Sequence, residues 1–232
     1  MTTLTSKRGP VYKSAPMKIR RPPTAGVRGP ARKQGAARTG GWDDDPFTRR
    51  AQRENFPARS VYKLQEIQRR FSVLRKGDRV LDLGCAPGSW LLYAAEVTGA
   101  AGRVVGLDLS PVTIALPAHV TVHIGDVFEA AQRPAEIFGN LFDVVLSDMA
   151  PSTTGSRGVD AARSFNLCAA ALEVARQVLT PAGSFVCKIF QGEDFKRFID
   201  GVKADFTEHR VFKPQSSRKA SSEIYLIGKG KK

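Results

Sequence analysis

The sequence predicts an α/β fold built around a mostly parallel sheet with helices on both of its faces. Short apolar runs recur along the 232-residue chain, and segments with helical periodicity separate most of them. This alternation is typical of parallel sheets, in which a crossover helix joins successive strands. The last two apolar runs have only a polar loop between them, so the final strand can pair antiparallel to its neighbour.

Seven strands and four helices are predicted from residue 59 onward. Runs of Val, Ile, Leu and Phe between turn residues mark the strands, and apolar residues three or four positions apart mark the helices. In chain order, we expect helix 59–71, strand 79–83, helix 90–98, strand 103–108, strand 119–125, strand 142–147, helix 160–179, strand 183–190, helix 194–205, strand 208–212 and strand 223–228.

Turn residues support these boundaries. A Lys-Gly-Asp turn precedes strand 79–83, and Leu-Ser-Pro follows strand 103–108. Apolar and polar residues alternate in strand 119–125, and Thr-Pro-Ala-Gly ends the longest helix, 160–179. Glycine and proline are the strongest local markers of such element ends.

Positive charge is concentrated at one end of the chain. The formal net charge is +14, and residues 1–41 contain ten Lys and Arg, five Pro, six Gly and no acidic residue. Such a composition buries too little apolar surface to fold, so we expect a disordered arm before a folded domain at 42–232. Because all charges of this arm are positive, we favour a role in binding nucleic-acid phosphates over the role of a tail that only solvates the protein.

The remaining composition excludes several classes of protein. The three cysteines are scattered and no CxxC pair occurs, which argues against a disulfide framework and against structural zinc. No run of eighteen apolar residues is present, so no membrane-spanning segment is predicted. We therefore expect a cytoplasmic protein that has no metal and no contact with a membrane.

A glycine-rich turn follows the first predicted strand in the run DLGCAPGSW, residues 82–90. Such a strand-to-helix turn lets backbone N–H groups approach a ligand closely. The run lacks the GxGxxG spacing of dinucleotide sites, and Pro87 removes one N–H donor. Both features favour a ligand that is smaller and less anionic than a pyrophosphate.

Four acidic residues stand at or near the ends of successive strands: Asp82, Asp108, Asp126 and Asp148. For any one of them taken alone, a helix N-cap or a turn residue is the favoured interpretation. Together, after one glycine turn, they favour a crevice for a nucleoside-containing cofactor, with Asp108 on a ribose diol and Asp126 on an adenine amino group. Trp90 either contacts that cofactor or packs a helix against the sheet.

Lys188 lies between Val, Cys, Ile and Phe in strand 183–190, an unusual position for a lysine that only faces solvent. It can act as a base or as a cation that orients a hydroxyl. The Asn/Asp-Pro-Pro-aromatic turn that holds an exocyclic amine is absent, as are the Pro-Cys and Thr-Cys pairs typical of cytosine C5 methylation. Cys168 and Cys187 are interpreted as small core residues.

From about residue 57 to its C-terminus, the chain resembles the FtsJ/RrmJ-type ribosomal RNA 2′-O-ribose methyltransferases. The shared stretches are ARSVYKLQEI (58–67), VLDLGCAPGSW (80–90), VVLSDMAPSTTG (144–155), GSFVCKIFQGEDF (183–195) and KPQSSRKASSEIYLIG (213–228). The resemblance implies a Rossmann-like class I methyltransferase sheet of seven strands with an antiparallel last strand. It also implies S-adenosylmethionine as cofactor and a uridine ribose in the A loop of large-subunit rRNA as substrate.

The resemblance also assigns roles to individual residues. The family's catalytic set matches Lys63, Asp148, Lys188 and Glu223, and its cofactor residues match Gly88, Trp90, Asp108, Asp126 and Asp148. Without the resemblance, Lys63 and Glu223 would be interpreted as surface residues. The turn reads CAPGSW where the family often has AAPGGW, and the basic arm is longer than the family's usual start.

The function predicted from the sequence is therefore 2′-O-methylation of large-subunit rRNA, carried out by a monomer on a (pre-)50S particle without binding DNA. Ribose methylation of tRNA is an alternative, since relatives with the same four residues act on tRNA. A non-catalytic RNA-binding factor for ribosome assembly is the second alternative. The presence of the whole catalytic set argues against it.

Overall fold

The computed structural model describes residues 45–139, 141–218 and 220–232. The predicted boundary between a basic arm and a folded domain, at residues 41 and 42, lies outside these residues. Within them, seven strands form one sheet: β1 (Arg79–Leu83), β2 (Arg103–Asp108), β3 (Val120–Ile124), β4 (Phe142–Ser147), β5 (Leu179–Phe190), β6 (Phe206–Phe212) and β7 (Glu223–Lys231).

The strands lie in the order β3-β2-β1-β4-β5-β7-β6. The five strands β1 to β5 pair in parallel, and β7 inserts antiparallel between β5 and β6. The predicted antiparallel last strand is confirmed. The strand order reverses at β1, whose neighbours are β2 and β4, and ligands of open α/β sheets bind at the carboxyl ends of the strands beside such a point.

Seven helices are described: α1 (Pro46–Arg53), α2 (Val61–Phe71), α3 (Ser89–Thr98), α4 (Val127–Ala130), α5 (Pro134–Phe138), α6 (Arg157–Val178) and α7 (Phe195–Asp205). Apolar side chains of α2 and α3, such as Leu64 and Leu91, pack in one core cluster with residues of β1 and β4. Apolar side chains of α4 to α7, such as Ala171 and Val202, pack in a second cluster. Helices therefore cover both faces of the sheet, as the sequence predicts.

The helix α1 is absent from the sequence-based prediction. Asp45 caps it by accepting a hydrogen bond from the Thr48 N–H at 3.1 Å, and Pro46 occupies its first turn. Its apolar contacts are confined to Ala51, which is buried, and the partly buried Phe47, which pack beside Tyr62 of α2. Two apolar residues in eight give too little periodicity to indicate a helix.

The remaining differences between the predicted and the observed elements are shifted element ends and two short helices. Helix α6 begins at Arg157, and β5 begins at Leu179, so the predicted break at Thr-Pro-Ala-Gly lies inside a strand with an irregular register against β4. The short helices α4 and α5 are also missing from the prediction. Among the described residues, no helix is both long and apolar enough to cross a membrane.

Candidate active site

Two glycines shape the turn after β1. Gly84 has φ +79° and Gly88 has φ +111°, backbone angles that residues other than glycine rarely adopt. A Cβ atom at Gly88 would lie 2.7 Å from Cδ1 of Ile114, and one at Gly84 would clash with the Met149 side chain. The turn therefore requires glycine at both positions.

Asp108 at the end of β2 braces this turn. Its Oδ2 accepts a hydrogen bond from the Ala86 N–H at 2.9 Å, and its Oδ1 accepts one from the Ser110 N–H at 2.8 Å. An ionised carboxylate has about four lone-pair sites, so two remain for a ligand. The structure thus places the predicted cofactor residue beside the glycine turn, in a geometry that can also accept hydrogen bonds from a diol.

Asp126 caps helix α4, because its Oδ1 accepts a hydrogen bond from the Phe128 N–H at 2.9 Å. It also lines, together with Asp108, a cavity of about 220 Å³. We call this space the nucleoside cavity; its walls include Gly84, Asp108, Leu109, Asp126, Phe128 and Met149. Leu109 and Phe128 expose 72% and 46% of their surfaces, although exposed side chains of this size are usually polar.

Asp82 does not line the crevice, contrary to the sequence-based expectation. It is the fourth residue of β1 and is fully buried, and neither of its carboxylate oxygens has a hydrogen-bond partner. Burial, and then the charges of Asp148 and Asp108, raise the pKa of this carboxyl well above its usual value. Its place in the chain explains the burial, since Asp82 lies inside β1, two residues before Gly84 of the glycine turn.

Trp90 packs within the core. Its ring stacks on Tyr225 with centroids 6.0 Å apart, and its Nε1–H donates to the Ser60 carbonyl oxygen at 2.9 Å. The side chain is 3% exposed and is not among the residues that line the nucleoside cavity. The structure thus shows how Trp90 packs, and its contact with the cofactor stays a prediction.

Lys188 and Asp148 form a buried ion pair beside the cavity. Lys188 Nζ lies 3.1 Å from Asp148 Oδ1 and also donates to the Asp148 carbonyl oxygen at 2.5 Å. Lys188 is 6% exposed, although it lies near the end of β5. Lys188 is therefore a buried, paired lysine and does not face solvent like an ordinary strand lysine.

Lys63 and Glu223 form a second ion pair, with Lys63 Nζ at 2.7 Å from Glu223 Oε1. Lys63 lies in the first turn of α2 and Glu223 is the first residue of β7. Each side chain is 12% exposed. Neither is thus an ordinary surface residue, which is the interpretation that the bare sequence would have favoured.

Tyr225 joins the two pairs. Its hydroxyl donates to Asp148 Oδ1 at 2.6 Å, and Lys63 Nζ lies 6.0 Å from the centre of its ring. Burial, and then the negative charges of Asp148 and Glu223, raise the pKa of Tyr225 well above its usual value, so it stays a hydrogen-bond donor at neutral pH. We call the group Lys63, Asp148, Lys188, Glu223 and Tyr225 the acceptor cluster.

The sequence analysis missed Tyr225, although a signal was present. Tyr225 stands two residues after Glu223 in β7, so both side chains lie on one face of the strand. In the sheet, Tyr225 is the direct partner of Lys188 across the β5–β7 pair. Cross-strand register was needed to connect it with Lys188, and register is not visible in a single strand.

Residues 56–231 match the model of the FtsJ-like methyltransferase family. The chain belongs to this family. It is 60% identical over 188 residues to the ribosomal RNA large subunit methyltransferase E of Desulforapulum autotrophicum, covering 81% of this chain and 93% of that protein. A protein of the same name from Desulfatibacillum aliphaticivorans is 55% identical, with 81% and 91% covered.

Solved structures support the fold. A protein described as a ribosomal RNA methyltransferase from Plasmodium falciparum superposes with a TM-score of 0.66 at 24% identity, covering 76% of this chain and 98% of that one. The fibrillarin of Aeropyrum pernix, solved with natively bound S-adenosylmethionine, gives a TM-score of 0.55 at 17% identity, covering 73% and 76%. The predicted family and the Rossmann-like methyltransferase fold are both confirmed.

Proposed function

We propose that this chain is an S-adenosylmethionine-dependent enzyme that methylates the ribose 2′-hydroxyl of a uridine in the A-loop region of large-subunit rRNA, during assembly of the subunit. The observation that carries the proposal is the acceptor cluster, in which four charged residues from separate elements form two ion pairs around a tyrosine. The names of the relatives, which are large-subunit rRNA methyltransferases, support the substrate.

The residues around the nucleoside cavity fit this cofactor. Asp108 retains lone pairs suited to a ribose diol, and Asp126 lies on the same cavity wall, where it can accept from an amino group. The backbone of the turn at Gly88 and the carboxylate of Asp148 belong to the same predicted set, as does Trp90, which packs in the core beside the turn. When bound, the cofactor supplies a methyl group activated by the adjacent positive sulfur.

The acceptor cluster supplies the groups that a ribose hydroxyl needs. An ammonium has three N–H donors, and Lys188 Nζ donates one to the Asp148 carbonyl oxygen and lies 3.1 Å from Asp148 Oδ1, so at least one donor remains for the acceptor oxygen. Asp148 fixes the lysine and Tyr225 fixes Asp148, so the direction of that remaining donor is set by the fold. Holding the acceptor oxygen in line with the methyl group lowers the barrier by positioning.

Lys63 and Glu223 form a charged pair on the other side of Tyr225. We infer that this pair contacts the ribose and phosphate of the target nucleotide, since both side chains keep a small exposed fraction at the same edge of the sheet. Such contacts to a 2′-hydroxyl and its backbone distinguish RNA from DNA.

Methyl transfer from labelled cofactor tests the proposal directly. The substrates are large-subunit particles, free large-subunit rRNA and bulk tRNA, all from a strain that lacks the gene. We expect label in the large-subunit rRNA and, after alkaline hydrolysis, one resistant internucleotide bond, because a blocked 2′-oxygen cannot attack the phosphate. Label in tRNA, or on a base, would contradict the proposed substrate or the proposed atom. Lys188→Ala serves as the control for enzyme-dependent label.

The basic residues at 1–41, which lie outside the described part of the chain, are proposed to add affinity for RNA. Removing them should leave cofactor affinity unchanged and weaken RNA binding. The slope of log affinity against log salt should also become less negative, because up to ten cations are lost. Binding titrations at several salt concentrations measure this, and an unchanged slope would show that the segment only solvates the protein.

A further inference from the structure

Two of the stretches that the chain shares with the family, 58–67 and 213–228, contact each other in the fold. Glu66 of α2 accepts two hydrogen bonds from the loop between β6 and β7: Oε2 from the Gln215 N–H at 2.7 Å, and Oε1 from the Ser216 N–H at 2.9 Å. Arg59, just before α2, donates to the Ser216 carbonyl oxygen of the same loop. One carboxylate and one guanidinium thus fix consecutive backbone groups of the loop.

This loop leads directly into the acceptor cluster. Its described residues are 213–218 and 220–222, and β7 begins after them, at Glu223. Within the loop, Lys213 Nζ donates to the Ser221 carbonyl oxygen at 2.8 Å, and the Glu223 N–H donates to Ser221 Oγ at 3.2 Å. The loop therefore has internal bonds near Glu223, and Glu66 connects it to α2.

Lys63 provides a second contact between α2 and the segment that contains the loop and Glu223. It lies three residues before Glu66 on α2, so both side chains are on neighbouring positions of one helix surface. Lys63 contacts Glu223 at 2.7 Å, while Glu66 holds the loop that precedes Glu223. Any slip of α2 along the loop would change the Lys63–Glu223 distance, and the two bonds from Glu66 oppose such a slip.

We propose that Glu66 is a positioning residue, which sets the Lys63–Glu223 geometry by clamping the β6–β7 loop to α2. It contacts backbone N–H groups of this chain, and its effect on methyl transfer passes through Glu223. The inference rests on the proposed function, because it assigns Glu66 a task in that same site. A charged acceptor suits the position, since hydrogen bonds from backbone N–H groups to a carboxylate are stronger than those to a neutral amide.

The first test compares Glu66→Gln, Glu66→Asp and the control Glu96→Gln. The Gln variant keeps the size but turns an NH2 group towards a backbone N–H, so one of the two bonds is lost. We expect its kcat to fall roughly ten- to hundredfold, because small displacements of reacting groups lower rates by such factors. Cofactor Kd should stay within twofold, and Glu66→Asp should recover part of the rate. Glu96→Gln makes the same change in charge as Glu66→Gln. Because Glu96 is exposed on α3, this variant should leave kcat unaltered.

The second test needs no RNA and so separates this inference from the proposed function. The coupling between Lys63 and Glu223 is measured by a double-mutant cycle on unfolding, with Lys63→Met and Glu223→Gln. The cycle is then repeated in the Glu66→Gln background, where we expect the coupling to shrink. An unchanged coupling, or a kcat within twofold of wild type for Glu66→Gln, would overturn the positioning role. A wild-type enzyme that methylates another RNA would instead refute only the substrate.

Discussion

The nucleoside cavity and the acceptor cluster lie side by side at the same edge of the sheet, but the chain builds them in different ways. In the cavity, each carboxylate accepts a hydrogen bond from a backbone N–H two residues further along the chain, that of Phe128 for Asp126 and that of Ser110 for Asp108. Asp108 also accepts one from the Ala86 N–H, 22 residues away. In the cluster, Lys188 contacts a partner 40 residues away and Tyr225 one 77 residues away. The carboxylates of the cavity are thus held partly by local turns, whereas the side chains of the cluster are held by contacts between distant elements.

The largest effect is expected from a substitution that disrupts the acceptor cluster and leaves the nucleoside cavity intact. Lys188→Ala should lower the rate of methyl transfer by ~10²–10⁴, the usual range for loss of one base or one oriented charge. Cofactor affinity should stay within a few fold, because Lys188 is not among the residues that line the cavity. Lys188→Arg should also lose methyl transfer, since a planar guanidinium does not fit a contact that a single ammonium nitrogen makes with one hydroxyl. Single-turnover rates and calorimetric binding measure the two quantities.

Lys203→Ala is the matched control, because that lysine is exposed on α7 and pairs only with Asp200 in the described contacts. A Lys188→Ala variant that turns over nearly as fast as wild type would show that the lysine is structural.

A second change breaks the cavity and spares the cluster. Asp108→Ala removes the acceptor for the Ala86 and Ser110 N–H groups and for the proposed ribose diol. Each lost acceptor in a desolvated site costs about 1–3 kcal/mol, so cofactor affinity should fall roughly ten- to hundredfold. Thermal shift and calorimetry with the cofactor measure this. The exposed Asp200 of α7 provides the control, and equal affinity in Asp108→Ala and Asp200→Ala would remove Asp108 from the site.

This contrast explains what the sequence could and could not predict. Strands β1, β2 and β4 have the predicted bounds, since each is a short apolar run between clear turn residues. Asp108 and Asp126 were identified by their places at strand ends. Lys63 and Glu223 needed the family resemblance, because nothing in their local sequence indicates an ion pair between an α2 residue and a β7 residue.

Burial and register were the two properties that sequence spacing did not reveal. Asp82 was expected in the crevice, yet it lies one step deeper in β1 and is fully buried. Tyr225 went unnoticed because its partnership with Lys188 depends on the alignment of β7 against β5. Both depend on how strands pair across the sheet, which is set by the complete fold rather than by any single segment.

A smaller effect sharpens the account of the acceptor cluster. Tyr225→Phe removes the hydroxyl that donates to Asp148 Oδ1 and keeps the ring that stacks on Trp90. We expect the rate to fall about tenfold, because removing one hydrogen bond to a charged group costs about 1.5–3 kcal/mol and Lys188 still holds Asp148. Rates at saturating RNA measure the effect. Tyr93→Phe on α3 is the control, and equal rates in the two variants would exclude a role for the Tyr225 hydroxyl.

The last expected effect is on stability rather than on catalysis and concerns Asp82, which is influenced by the charges of Asp108 and Asp148. Its pKa is raised by burial, so the folded protein keeps a proton there above pH 3.8, where the unfolded chain has lost it. Unfolding then releases a proton, and the free energy of unfolding falls as pH rises from 3.8 towards the folded pKa. One proton contributes at most about 1.4 kcal/mol per pH unit.

Asp82→Asn removes this titration while keeping the size of the side chain. Relative to wild type, its free energy of unfolding should therefore rise with pH and then level off above the folded pKa of Asp82. Urea unfolding at intervals between about pH 5 and about pH 8 measures the difference. Parallel stability curves for the two proteins would mean that Asp82 is ionised in the fold. In that case the charges of Asp108 and Asp148 would share the site with a third negative charge, and the cavity and the cluster would be coupled through it.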